Sequence, residues 1–190
     1  MKYQTNFTIG KHQISTNAPT YFIADIAANH DADLSRAKEL IWKAAEAGAD
    51  VAKFQHFLAE KIVSDIGFKA LGDQIAHQAN WGKSVYEIYE QYQVDREWND
   101  ILAAECIKAN IDFMTTPYDL NATTGVDTLV EAYKIGSGDI TWTNFLADIA
   151  KLKKPIFLST GASSQADVSR AVEQILNKNN CLCLLQSNTN

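Results

Sequence analysis

Lys53, Thr116, Lys134, Ser137 and Ser159 each stand at or just past the C-terminal end of a short apolar run. The runs are VAKFQHF (51–57), IDFMTTPY (111–118), AYKIGSGD (132–139) and PIFLSTG (155–161). Two ammonium groups, three hydroxyls and neighbouring glycines suit a phosphate-bearing anion. The ammonium groups supply point charge, and the hydroxyls and backbone amides supply directed donors. Asp25, near the end of YFIADIA (21–27), and Asp139 are carboxylates in equivalent places. They could bind sugar hydroxyls or move a proton, or simply hold the lysines by ion pairs. Lys53 and Gln55 are two apart on one strand and face the same way. A buried lysine needs a partner or a ligand, so Lys53 either meets a ligand or pairs with a carboxylate such as Asp25 or Asp139. Lys134 follows the same logic, with Gly136 and Gly138 letting backbone amides approach a ligand closely.

Other chemistry-bearing residues lack a pattern. Asn29 and His30 close the first apolar run, His56 lies near the end of the second, and His77 falls in a long loop. HxH and HExxH spacings are absent, so hydrogen bonding is the expected histidine role rather than metal ligation. Cys181 and Cys183 share one face of a strand and read as packing residues. Ser159-Thr160-Gly161 is not a GxSxG elbow, and nothing suggests a nucleophilic triad. Neither GxGxxG nor GxxxxGK[ST] occurs, so a dinucleotide fold or P-loop has no support.

These residues need elements to position them. Residues 5–16 read as a hairpin turning at Gly10-Lys11. Apolar runs then predict strands at 21–27, 51–57, 111–116, 132–136, 156–159 and 181–187. Helical spacing predicts helices at 33–47, 85–92, 96–109, 120–130, 144–152 and 165–177. Asp33 and Asp95 are expected caps, Ser164 with Asp167 resembles a capping box, and Gly48 stops the first helix. Trp98, Ile101 and Leu102 are expected to face the core. The stretch 58–84 is long and aperiodic, a functional lid or interface segment or a plain connector.

Near-continuous apolar strands alternating with amphipathic helices imply a parallel sheet covered on both faces. The expected fold is α/β: a single domain over 1–190, a partial (β/α)8 barrel of about six parallel strands with an N-terminal hairpin. Catalytic residues of such barrels come from the ends of several strands. A full barrel takes about 250 residues, and stopping after the sixth strand leaves two open edges. The expectation is a truncated copy or fragment of a longer barrel.

The chain has 190 residues, 46% of them hydrophobic, enough for one real core. A net charge of −6 argues against a general nucleic-acid or anionic-membrane surface, so an anion site must be local. Three cysteines without a CxxC pair fit a reduced, cytoplasmic protein. No signal peptide is read at the N-terminus, and no run approaches the ~20 apolar residues of a membrane helix.

Taken together, IADIAANHDADLSRAKELI, EAGADVAKFQHF, FMTTPYD, AYKIGSGDIT, KPIFLSTGAS and LLQSNTN, in this order, resemble the N-acetylneuraminate (sialic acid) synthase family over about residues 5–190. The resemblance implies an enzyme that condenses phosphoenolpyruvate with an aldose such as N-acetylmannosamine, giving a nonulosonic acid and phosphate. Carbon 3 of phosphoenolpyruvate attacks the aldehyde, water adds at carbon 2, and the tetrahedral intermediate expels phosphate. A divalent metal, Mn2+ or Mg2+, is implied as a Lewis acid on the aldehyde oxygen. Phosphoenolpyruvate contacts map to Lys53, Thr116, Lys134, Ser137 and Ser159, and sugar contacts to Asp25, Gln55 and Asp139. Thr189 falls where the family has a further ligand contact. Asp25, Lys53, Lys134 and Asp139 are the expected catalytic set.

Two departures stand out. Many family members carry glutamate where this chain has Asp25 and Asp139, which moves each carboxylate about one bond back. The family's metal-binding histidine pair, and its C-terminal antifreeze-like domain that reaches over the partner's site in a dimer, lie beyond Asn190. These 190 residues alone are therefore expected to be inactive. The alternatives are a non-catalytic remnant that binds phosphate or a sugar phosphate, and a different phosphoenolpyruvate-dependent barrel aldolase.

Overall fold

The computed structural model describes residues 3–71 and 82–187, so the sequence expectations for His77 and Thr189 lie outside the described residues. The chain opens with an antiparallel hairpin, β1 (Asn6–Ile9) and β2 (His12–Ser15). Its turn uses Gly10 at a φ of 50°, where a Cβ would also lie 2.9 Å from Asp112 Oδ1. Glycine meets both demands at once.

Six parallel strands follow: β3 (Ile23–Ala27), β4 (Val51–His56), β5 (Asp112–Pro117), β6 (Tyr133–Ile135), β7 (Ile156–Ser159) and β8 (Leu182–Leu185). They lie in one sheet in chain order, β3-β4-β5-β6-β7-β8. Helices fill the crossovers: α1 (Leu34–Glu46), α2 (Ala59–Ile62), α3 (Asp65–Leu71), α4 (Val85–Tyr92), α5 (Asn99–Lys108), α6 (Leu120–Val126), α7 (Thr143–Lys151) and α8 (Gln165–Leu176). This is the partial barrel that the alternation predicts.

Local chemistry explains the boundaries. Asp33 caps α1 by accepting from the amides of Ser35 and Arg36, and Gly48 breaks it with a φ of 84°. Ser164 and Asp167 form the expected reciprocal box at α8, and Ser84 with Glu87 does the same at α4. Four expectations need correction. Residues 58–71 are not irregular, since α2 and α3 occupy them. The 96–109 segment begins as a 3-10 turn over Arg96–Trp98, with Asp95 accepting from the Glu97 amide. Ile101 is exposed, because the apolar stripe of α5 runs through Leu102, Ala103 and Cys106 instead. The predicted 120–130 helix also stops at Val126.

The strands alternate between two apolar environments, as the two-residue period requires. Ala52, Phe54, Phe113, Tyr133, Ile135, Ile156 and Leu158 face outward, against Ile41 of α1, Leu102 of α5, Leu146 of α7 and Ala171 of α8. Val51, Met114, Ala132 and Phe157 face inward and pack on Ile9 of the hairpin, with Phe7, Ile14, Tyr21 and Ile23 at the margin. The hairpin therefore plugs the N-terminal end of the barrel interior. Each large side chain buried there contributes about 1.5–3 kcal/mol. Cys183 packs at the edge of this inner cluster, whereas the Cys181 thiol lies 2.8 Å from Gln4 Oε1 near the chain start.

Candidate active site

Above the inner apolar plug, the same alternation puts polar groups on the interior face. On β3 and β4, Asp25 pairs in register with Lys53; on β4 and β5, Gln55 pairs with Thr116. Lys134 lies between Tyr133 and Ile135, which both point outward, so it points inward. Ser159 follows the inward Phe157 by two residues. Lys53, Thr116 and Ser159 are buried. Thr116 and Ser159 stand at strand ends as expected, whereas Lys53 is the third residue of β4 (Val51–His56), inside the strand rather than at its end, and its inward side chain reaches Asp25.

Two charged groups organise the mouth of the barrel. Lys53 Nζ lies 2.6 Å from Asp25 Oδ1. Of the two carboxylates weighed for Lys53, Asp25 is the partner. Lys134 Nζ donates to the carbonyl of Ile135 at 2.9 Å. Burial, and then the neighbouring Lys53 charge, push the Lys134 ammonium down from its usual 10.5 to about 8. Burial pushes the Asp139 carboxyl upward, against the opposing pull of Lys134. Asp139 closes a 3-10 turn over Ser137–Asp139 directly after β6. A Cβ on Gly136 would lie 3.5 Å from Asp139 Oδ2, so the turn folds the carboxylate back over its own start.

The serine-rich side is built by β7 and β8. The Thr160 amide and hydroxyl both donate to the carbonyl of Leu185, and the Gly161 amide donates to Ser187 Oγ at 3.0 Å. A Cβ on Gly161 would lie 2.5 Å from Ser187 Oγ, 2.8 Å from its carbonyl oxygen and 3.4 Å from Ser137 Oγ. Gly161 is therefore the point where the ends of β6, β7 and β8 meet. The sequence pointed to the STG run but not to Ser187.

Tyr118, the last residue of the IDFMTTPY run, also joins the site. The Gln55 amide donates to its hydroxyl at 3.2 Å. Burial, followed by Asp139 and Asp25, pushes its phenol well above the ordinary value, so it stays a neutral hydrogen-bonding group beside both carboxylates.

His56 belongs to the other face. Asn99 Nδ2 donates to the Gly125 carbonyl, which turns Asn99 Oδ1 toward His56; Nε2–H therefore donates to Oδ1 at 2.8 Å. The Thr115 hydroxyl, 2.6 Å away, donates to Nδ1. Both ring nitrogens are committed, and burial lowers the imidazole pKa to about 4. His30 Nδ1 accepts from the Ala32 amide and so fixes the β3–α1 loop. Among the described residues no group of three His, Cys, Asp or Glu side chains converges as a metal site. With Asp25 held by Lys53 and His56 fully bonded, these donors do not fit the divalent metal that the resemblance implies.

A family model described as the NeuB family matches residues 40–190. The chain belongs to the NeuB family. Among NeuB-type relatives, it is 37% identical to the N,N'-diacetyllegionaminic acid synthase of Campylobacter jejuni, over 84% of this chain and 47% of the relative. It is 32% identical to the N-acetylneuraminate-9-phosphate synthase of Drosophila melanogaster, over 80% of this chain and 41% of the relative. The crystal structure of the sialic acid synthetase from Leptospira borgpetersenii, solved with citrate, superposes with a TM-score of 0.80 at 26% identity, covering 97% of this chain and 60% of that one. A truncated 3-deoxy-D-arabino-heptulosonate 7-phosphate synthase from Thermotoga maritima, at 13% identity and a TM-score of 0.66, shares the barrel fold. The chain spans about half the length of the curated relatives it matches.

Proposed function

We propose that this chain carries the phosphoenolpyruvate-binding part of a sialic-acid-type synthase site. The proposed reaction condenses phosphoenolpyruvate with N-acetylmannosamine or a related aldose, giving a nonulosonic acid and phosphate. The observation that supports it most is the pair of interior lysines, Lys53 and Lys134, at one barrel mouth, close enough for one charge to depress the pKa of the other. Two like charges held together in a partly desolvated site favour an anion that neutralises both.

Each residue has a part in this reading. Lys53 and Lys134 neutralise the phosphate and carboxylate of the enol ester. Thr116, Ser137 and Ser159 donate hydroxyl hydrogen bonds around it. Asp25 and Gln55 face the sugar. Asp139, with its raised pKa beside the lowered Lys134, is suited to carry a proton during the aldehyde addition. The further ligand contact that the resemblance implies falls to Thr189, outside the described residues. The Mn2+ or Mg2+ that the resemblance implies is assigned no ligand among these residues, and no step of this reading passes through it. A homodimer and a cytoplasmic location complete the reading; among the described residues no helix is long and apolar enough to cross a membrane.

Calorimetric titration of the 190-residue chain with phosphoenolpyruvate tests it. Saturable binding that Lys53→Ala weakens by about 100-fold, as expected for a charge-assisted contact, supports the reading. Binding unchanged in that variant removes it.

A further inference from the structure

Three residues of the β3–α1 segment, Ala27, Asp31 and Ala32, take left-handed backbone angles, with φ of 52°, 51° and 56°, although none is glycine. Such conformations persist only where surrounding contacts impose them. We infer that buried His30 imposes them and is a positioning residue for the Asp25–Lys53 pair at the mouth. The inference rests on the synthase reading above and names the residue that sets the geometry of the pair from beneath.

His30 bears on both strands of that rung. Its loop leaves β3 at Ala27, two residues after Asp25, and the register shifts between the two. Asn29, the residue before it, donates to the carbonyl of Ile26 from its backbone amide at 3.0 Å and from its side-chain amide at 2.9 Å. Ile26 directly follows Asp25. The His30 carbonyl accepts from the Asp33 amide at 2.9 Å, which ties the loop to the cap of α1. On the other strand, the His30 ring lies 6.4 Å from that of Phe54, which pairs in register with Ala27 and directly follows Lys53. The Trp98 ring stands nearly perpendicular to it at 5.8 Å.

The ring is there for its acceptor. Nδ1 accepts from the Ala32 amide at 3.1 Å, inside the left-handed turn. Burial lowers the imidazole pKa, against the opposing charge of Asp31, so the ring is neutral and Nδ1 has the lone pair that this bond needs. The proton is then on Nε2, which is buried and has no partner among the described residues. A phenyl ring would fill the slot between Phe54 and Trp98 without that cost, but it would offer Ala32 nothing.

Arg36 also clasps this loop, through the Asn29 carbonyl and Asp31, but its side chain is half exposed. His30, fully buried, holds the loop from inside. Removing its acceptor frees Asp31 and Ala32 to leave the left-handed region, which costs residues with a Cβ free energy. Ile26 and Asp25 then shift, and the 2.6 Å alignment of Asp25 with the Lys53 ammonium is lost.

Two substitutions separate the acceptor from the ring. His30→Asn keeps an acceptor, because its Oδ1 takes the place of Nδ1, and gives up the packing. His30→Phe keeps the packing and gives up the acceptor. In the 190-residue chain, His30→Asn should melt at a lower temperature than His30→Phe. It should nevertheless bind phosphoenolpyruvate within about twofold of wild type, while His30→Phe binds about tenfold more weakly. The 13C resonance of the Asp25 carboxylate should shift in His30→Phe and stay in place in His30→Asn. Affinity that follows melting temperature, equal affinity in all three proteins, or an unmoved Asp25 resonance in His30→Phe overturns the inference. If His30→Phe does not fold, His30→Leu takes its place, and failure of both to fold also overturns it. If wild type binds no phosphoenolpyruvate, the synthase reading falls, and the Asp25 resonance alone decides the role of His30.

Discussion

The ammonium of Lys53 and the carboxylate of Asp25 meet across one rung of the sheet, 2.6 Å apart, with very different exposure. The lysine side chain is 5% exposed and the aspartate 60%. The carboxylate therefore keeps most of its hydration, while the ammonium has given up nearly all of its own. Such an arrangement stabilises the fold weakly at best. It leaves a dehydrated cation at a barrel mouth, where an anionic ligand can add its charge.

Lys53→Met should expose the trade between stability and binding. The thioether fills the buried stem, and Asp25 is solvated enough to stand alone. The melting temperature should stay the same or rise by about 2–4 °C, while phosphoenolpyruvate binding is lost. A large fall in melting temperature would assign Lys53 a structural role instead.

On the proposed reading, Lys134 should give phosphoenolpyruvate binding a pH dependence. Its pKa is near 8 in the free protein, and a bound anion must raise it. Binding near pH 8 to 9 should therefore take up a proton, and affinity should fall as pH rises through about 8. The same shift sets a stability window. Between about 8 and its ordinary 10.5, the unfolded chain holds this proton and the folded chain does not, so this group's contribution to stability rises with pH there. Calorimetry in two buffers of different ionisation enthalpy measures the uptake. Proton release on binding would contradict the assignment.

His56 should make the fold acid-sensitive. Its imidazole is neutral in the folded state, with a pKa lowered from 6.5 to about 4. In that window the unfolded chain binds a proton that the folded chain refuses. Stability should thus be full above about pH 6.5 and fall toward pH 4, by up to about 3 kcal/mol. His56→Ala should flatten this slope. It should also cost about 2–4 kcal/mol at neutral pH, by leaving Thr115 and Asn99 without their buried partner. Urea titrations at pH 4.5 and 7.5 measure both effects.

Much of the site is legible in the sequence. Lys53 and Lys134 lie within apolar strands, Thr116 and Ser159 at strand ends and Ser137 just past one, and the two-residue period gives the four strand residues their face. What the pattern could not carry was the contact made. Asp25 and Asp139 are equivalent candidates for Lys53 by position, and only register selects Asp25. His56 lies one residue beyond the inward Gln55, and its outward bonds to Asn99 and Thr115 join elements 43 and 59 residues away. Ile101 is exposed while Leu102 is buried, because one residue on a helix turns a side chain about 100°, and propensity is silent about which neighbour comes to cover it.

The sequence by itself determined the alternation of strands and helices, the hairpin, the helix caps and the strand ends that carry polar groups. These follow from local periodicity and from side chains bonding their own backbone. Only the tertiary structure decided that the hairpin plugs the barrel interior, that Gly161 and Ser187 join three strand ends, and that Gln55 meets Tyr118 beside the lysine-lined mouth. Those relationships join residues far apart in the chain. They depend on sheet curl and strand register, which no short stretch of sequence encodes.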